Sequence, residues 1–129
     1  KLNKSFDLIN LEQVLEHVIN PIETLNSICK LSNKKTIIRI RVPNILRPKE
    51  GNNLYKDWPY NGNKMHTLSP YEHIHGFSQK SLFMLCRKAG LEVDYLFLLK
   101  FKPLLFIRYI LGIFFIRFSS TTIYCKLKE

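Results

Sequence analysis

Glycine is scarce in this sequence: five residues in 129, at positions 51, 62, 76, 90 and 112, with no two separated by a single residue. A glycine-rich turn that lays backbone against a phosphate or dinucleotide is therefore excluded. Cysteine is rarer still. Cys29, Cys86 and Cys125 are odd in number and sit inside apolar patterns, which argues against a disulfide framework and for buried free thiols in a reducing cytoplasm. Acidic side chains number 10 against 20 basic ones, for a formal charge of +10. That balance favours solubility and attraction to anionic surfaces but fixes no fold. No Ser-His-Asp arrangement and no paired-carboxylate hydrolase pattern is present. No stretch supplies the roughly 20 uninterrupted apolar residues of a membrane span.

What is there reads as a folded α/β chain. Its 46% hydrophobic content suits one domain with a real core, spanning residues 1–129. Phe6 to Leu11 is a short apolar run of strand length, broken by Asp7 and Asn10. A helix start follows: Asn20 as cap, Pro21 at the first helical position, and Glu23 three residues after the cap. The helix is expected over Pro21 to Leu31, with Ile22, Leu25, Ile28 and Cys29 as its apolar stripe. Thr36 to Val42 reads as a strand with Ile38, Ile40 and Val42 on one face and Ile37, Arg39 and Arg41 on the other. Either the arginine face is open to water or it meets an acidic partner; open surface is the expectation. Ser78 caps the next helix, Leu82, Leu85, Cys86 and Ala89 form its buried stripe, and Gly90 terminates it. Strands are then expected over Leu91 to Leu99 and Thr121 to Leu127.

Two segments break this alternation. Residues 44–77, entered through Pro43, carry Pro48, Pro59 and Pro70 and the aromatics Tyr55, Trp58 and Tyr60, which suits a partly packed lid or binding loop. Residues 101–118 are strongly apolar, yet Arg108 and Arg117 point to nearly opposite sides of a helical wheel. A packed helical insertion is expected there, with peripheral membrane contact or partner docking as the alternative. Lys100, Lys102, Arg108 and Arg117 would suit anionic headgroups. The seven basic residues between Lys30 and Lys49 read as solvated surface, because no nucleic-acid reader motif accompanies them.

Three stretches, in order, carry a family resemblance: FDLINLEQVLEHVINPIETLNSICKL, then TIIRIRVPN, then HIHGFSQKSLFMLCRKAGLEV. Together they resemble the later part of class I S-adenosylmethionine-dependent methyltransferases, from the fourth strand onward. The resemblance implies half of a Rossmann-like sheet, strands in the order 4-5-7-6 with the last antiparallel, flanked by helices. It places Phe6 to Leu11 at an edge of that half. The family's glycine-rich cofactor turn lies ahead of these stretches, and only five residues precede Phe6 here. The chain is therefore expected to be a carboxyl-terminal half, inactive alone, whose amino-terminal half comes from elsewhere or from a second chain.

The resemblance also nominates site residues. Asn10, Leu11 and Glu12 lie where the cofactor S-adenosylmethionine passes the fourth strand, often meeting only backbone. His17 is the candidate base and Glu16 its neighbour in the Leu-Glu-His turn, since imidazole titrates near neutrality. His75 and Trp58 are expected at the acceptor pocket. Gln13, Glu16 and His17, spaced i, i+3, i+4, would share a face of a helical turn. Some family members acting on quinone precursors bind a divalent metal at this motif with a glutamate where this chain has Gln13. With that charge absent, no metal is expected. A zinc set of His66, His73 and His75 lacks a fourth ligand at sensible spacing.

The function implied is methyl transfer to a small-molecule, lipid or sugar acceptor in the cytoplasm, with contact at a membrane surface through residues 101–118 as the other location. The alternative is a non-enzymatic basic module, on the same half fold, that docks a membrane or partner. Nucleic acid is an unfavoured partner.

Overall fold

The structure, a computed structural model, describes residues 6–45, 72–94, 99–100, 102–104, 106–107, 110 and 120–128. Its elements run β1 (Leu8–Glu12), α1 (Pro21–Lys30), β2 (Ile37–Pro43), α2 (Gln79–Lys88), β3 (Leu91–Val93) and β4 (Ser120–Leu127). The four strands form one sheet in the order β1-β2-β4-β3, with β1 parallel to β2 and β4 antiparallel to both its neighbours. This is the 4-5-7-6 order with its reversed last strand. Among the described residues β1 ends the order and pairs on one side only.

The helices start where their caps dictate. Asn20 accepts the Glu23 backbone N–H at 3.4 Å, and Pro21 opens the first turn. Ser78 and Ser81 form a reciprocal box: the Ser81 N–H donates to Ser78 Oγ at 3.1 Å and the Ser78 N–H to Ser81 Oγ at 2.9 Å. Each closes a donor that the first turn leaves without an intrahelical partner. Gly90 ends α2 with φ +79°, a left-handed conformation that costs an L side chain about 1–2 kcal/mol.

The core lies between the helices and one face of the sheet. Ile38, Ile40 and Val42 of β2 are fully buried, together with Leu25 of α1, Leu82 and Cys86 of α2, and Ile123 and Cys125 of β4. Cys29 joins the helices, its thiol donating to the Ala89 carbonyl at 3.3 Å, and burial raises its pKa. The pKa of Cys125 is raised well above the thiol norm by its hydrogen bond with Cys86 and by burial. All three cysteines are free thiols.

Two expectations need correction. The strand expected over Leu91 to Leu99 stops at Val93, and Leu99 and Lys100 are helical. The ladder of β3 with β4 pairs Leu91, Glu92 and Val93 and closes with the Asp94 N–H on the Tyr124 carbonyl at 2.8 Å, whereas the apolar alternation ran further. The second concerns the arginine face of β2, expected to be bare. Parallel register sets Asn10 opposite Arg39 and Glu12 opposite Arg41, and both guanidinium groups reach Glu12. The acidic partner came from the neighbouring strand.

Within 101–118, helical residues occur at 103–104, 106–107 and 110; Phe106 packs against the core, while Leu104 and Ile107 are exposed. Among the described residues no helix is long and apolar enough to cross a membrane. Trp58, His66 and the body of the 44–77 loop lie outside the described residues. The two ends of that loop are pinned together: Asn44 bridges Phe77, and the Ile45 N–H donates to the Phe77 carbonyl at 3.0 Å.

Candidate functional site

The site is made where β1 stops. Gln13, the first residue past the strand, has φ +53°, a value that few residues other than glycine adopt. Its N–H still donates to the Arg41 carbonyl at 2.8 Å, so the ladder with β2 is completed before the chain swings away. Strain of this kind concentrates at functional turns. The swing puts Val14 to His17 into a tight turn closed by the His17 N–H on the Val14 carbonyl at 3.1 Å. Leu15 goes into the core, Glu16 is buried and His17 is exposed. The i, i+3, i+4 spacing of Gln13, Glu16 and His17 suggested one face of a helical turn, but the segment is not helical, and Gln13 and His17 are exposed where Glu16 is buried.

The segment that returns after the loop holds this turn from outside. His17 donates from Nδ1 to the Glu72 carbonyl in a short contact. The His75 backbone N–H donates to the Glu16 carbonyl at 3.1 Å, and His75 Nε2 to the Ile19 carbonyl at 3.2 Å. Both imidazole assignments follow from the acceptors, because a carbonyl oxygen only accepts. His17 therefore turns its Nδ1–H to the Glu72 carbonyl, which leaves Nε2 for any further partner. His75, nominated for the acceptor pocket, spends its Nε2–H on fastening the turn. His73, between them, brings its ring against that of His17 in a T-shaped contact with centroids 4.8 Å apart.

Glu16 is the unusual member. It is 1% exposed, and neither carboxylate oxygen has a hydrogen-bond partner among the described residues. An ionised carboxylate taken out of water without a counter-charge costs several kcal/mol. One donor atom each from Glu16, His17 and His73 lies within 4.8 Å of the other two. No local pattern signals this grouping: spacing along the chain sets His73 with His66 and His75, and it arrives from the far side of the 46–71 segment.

Asn10, Leu11 and Glu12, nominated for the cofactor, present little side chain to it. Leu11 is in the core. Arg39 Nη1 donates to Asn10 Oδ1 at 2.7 Å and also contacts Glu12, while Arg41 Nη1 donates to Glu12 Oε1 at 2.8 Å. The Arg39 hydrogen bond, aided by both positive charges, holds the Glu12 pKa below its ordinary value, and Glu12 in turn raises that of Arg39. What the three residues leave for a ligand is backbone. The alternation of Asn10 and Glu12 against Arg39 and Arg41 was the available signal for this clamp, had the two strands been placed in parallel register.

Comparison with known proteins adds one finding. A family model described as a methyltransferase domain matches residues 1–96, from β1 through β3. No curated protein matches the chain.

Proposed function

The chain belongs to the methyltransferase-domain family, and from that membership we propose that it forms the acceptor side of an S-adenosylmethionine-dependent methyltransferase acting on a small-molecule, lipid or sugar acceptor. The observation that carries this reading is the strand order β1-β2-β4-β3 with β4 reversed, built largely from the matched segment. In such a sheet ligands bind outside the carboxyl ends of the parallel strands, and the turn holding Glu16 and His17 stands at that end of β1.

The chain's own residues fit the donor only in part. Bound S-adenosylmethionine supplies an electrophilic methyl group. Asn10 and Glu12 are engaged with the arginines, so they offer it backbone at the edge of β1, and the sequence has no G-x-G turn to grip the rest. A glycine-rich half contributed in the same polypeptide or by another one completes the grip. On the acceptor side, the His17 Nε2 lone pair activates the acceptor by drawing on its labile hydrogen. Glu16 stands close enough to balance the positive charge that follows. The Nδ1–H bond to the Glu72 carbonyl orients the imidazole, and the His75 bonds to the Glu16 and Ile19 carbonyls fasten the turn that carries it, which is the positioning that catalysis requires.

Calorimetric titration of the 129-residue chain with S-adenosylmethionine tests this. No saturable micromolar binding is expected from the chain by itself, and methyl transfer from radiolabelled donor is expected once a glycine-rich half is present. Tight, stoichiometric binding by the chain alone would refute the division of labour. Failure of the completed protein to transfer methyl groups would refute the activity.

A further inference from the structure

We propose that Glu16, His17 and His73 are three ligands of a first-row transition-metal dication of the zinc class, with a coordination position left open to the acceptor side. The reading rests on the methyl-transfer proposal only for what the ion is used for; the site itself stands on geometry.

Three independent features converge. The first is the buried Glu16 carboxylate, both oxygens unpartnered among the described residues, lying beside two imidazoles rather than a lysine or arginine. A bound dication supplies the counter-charge such a group calls for. The second is distance. Donors about 2.1 Å from one ion stand roughly 3–3.5 Å from each other. The three donor atoms lie within 4.8 Å of one another, so a side-chain rotation of about an ångström closes the set. The third is orientation. A metal-bound histidine characteristically gives its other ring N–H to a carbonyl or carboxylate, and His17 gives Nδ1–H to the Glu72 carbonyl. Glu72 immediately precedes His73, so one segment both aims the first imidazole and delivers the second.

The donor set decides the class of ion. Two imidazoles and one carboxylate suit zinc, cobalt, nickel or ferrous iron, whereas magnesium and calcium take oxygen throughout. Gln13 brings no charge to the set, being an exposed neutral amide. His75 is engaged through Nε2 with Ile19. Three protein ligands leave a fourth position for water or substrate, the arrangement of catalytic rather than structural zinc sites. With metal bound, the His17 lone pair goes to the ion, and the ion takes over the activation of the acceptor oxygen.

The test is cobalt and zinc titration of the chelator-stripped full chain. One equivalent of cobalt(II) should produce visible d–d absorption that zinc(II) abolishes by displacement, and calorimetry with zinc chloride should give one site. His17→Ala and His73→Ala should each weaken zinc binding by at least roughly tenfold, and Glu16→Gln similarly. His66→Ala should leave it unchanged. Should Glu16→Gln fail to fold, His73→Ala decides the matter, since its ring is only partly buried. The proposal is overturned by no stoichiometric binding, by binding that survives His73→Ala, by dependence on His66, by thiolate charge-transfer bands, or by a preference for magnesium. Metal binding without methyl transfer would sink the activity and leave the site. Methyl transfer without metal binding would sink only the site.

Discussion

Two glutamates four residues apart, Glu12 and Glu16, meet opposite fates at the same end of β1. Glu12 is exposed on the sheet face, gripped by Arg39 and Arg41. Glu16 is 1% exposed and has no hydrogen-bond partner for either oxygen among the described residues. Exposed ion pairs of the first kind add little to stability, because water screens both partners and long side chains lose freedom in holding one geometry. A buried charge of the second kind detracts from stability unless something supplies its counterpart. The contrast separates structure from function. Glu12 is satisfied from within the sheet and asks nothing of a ligand, while Glu16 is tolerated at a cost that only binding would recover.

The sharpest way to break this contrast is to neutralise Glu16. In metal-free protein, Glu16→Gln keeps the shape and removes the charge. It should raise the unfolding free energy by about 1 kcal/mol or more, because a neutral amide costs less to bury than an unpaired charge. Urea denaturation in the presence of chelator would read this directly. A fall of similar size would mean that Glu16 has a strong partner after all, and the contrast would collapse.

A smaller effect should come from Gln13, the hinge between the two. Its φ of +53° sends the chain off the sheet so that Glu12 faces out and Glu16 in. Glycine adopts that conformation freely but loses more freedom on folding, so the two terms partly cancel. Gln13→Gly should therefore stabilise the protein by about 0.5–1 kcal/mol. It should also leave the affinity for zinc within a factor of about three, because Gln13 carries no ligand. A loss of stability instead would show that the exposed side chain holds the turn.

Much of the fold was readable from residues because local rules acted alone there. Asn20-Pro21 and Ser78 begin their helices where capping predicts, Gly90 ends one, and Ile38, Ile40 and Val42 face the core as alternation requires. The errors lie where the answer depended on a neighbour. Alternation ran past Val93 in the sequence, but the paired residues of β3 end at Val93, with one further bond from the Asp94 N–H to the Tyr124 carbonyl. Arg39 and Arg41 looked like a water-facing row because a single strand does not announce the register of the next one. The candidate site divides in the same way. Glu16 and His17 were visible in one motif, whereas His73 belongs to it only through the folding back of a distant segment. Nothing in the spacing of a helical turn revealed that Gln13 would leave it.

The smallest expected effect concerns Glu12, and its sign follows from the clamp. The Arg39 hydrogen bond and the charges of both arginines favour the ionised carboxyl, so its pKa in the folded protein lies below the ordinary 4.5. A depressed carboxylate pKa contributes stability that is fully present above the unfolded-state value. That contribution is lost as pH falls through the lower folded-state value. Glu12→Gln should therefore melt slightly below the parent protein at neutral pH, by an amount near the resolution of replicate melts, since solvent screens the exposed group. The gap should close as pH drops below 4.5, where the parent's carboxyl also becomes neutral. High salt should narrow it at neutral pH. A gap that widened on acidification would mean that the arginines do not hold this carboxylate in its charged form. The clamp would then no longer explain why Glu12, unlike Glu16, is at rest.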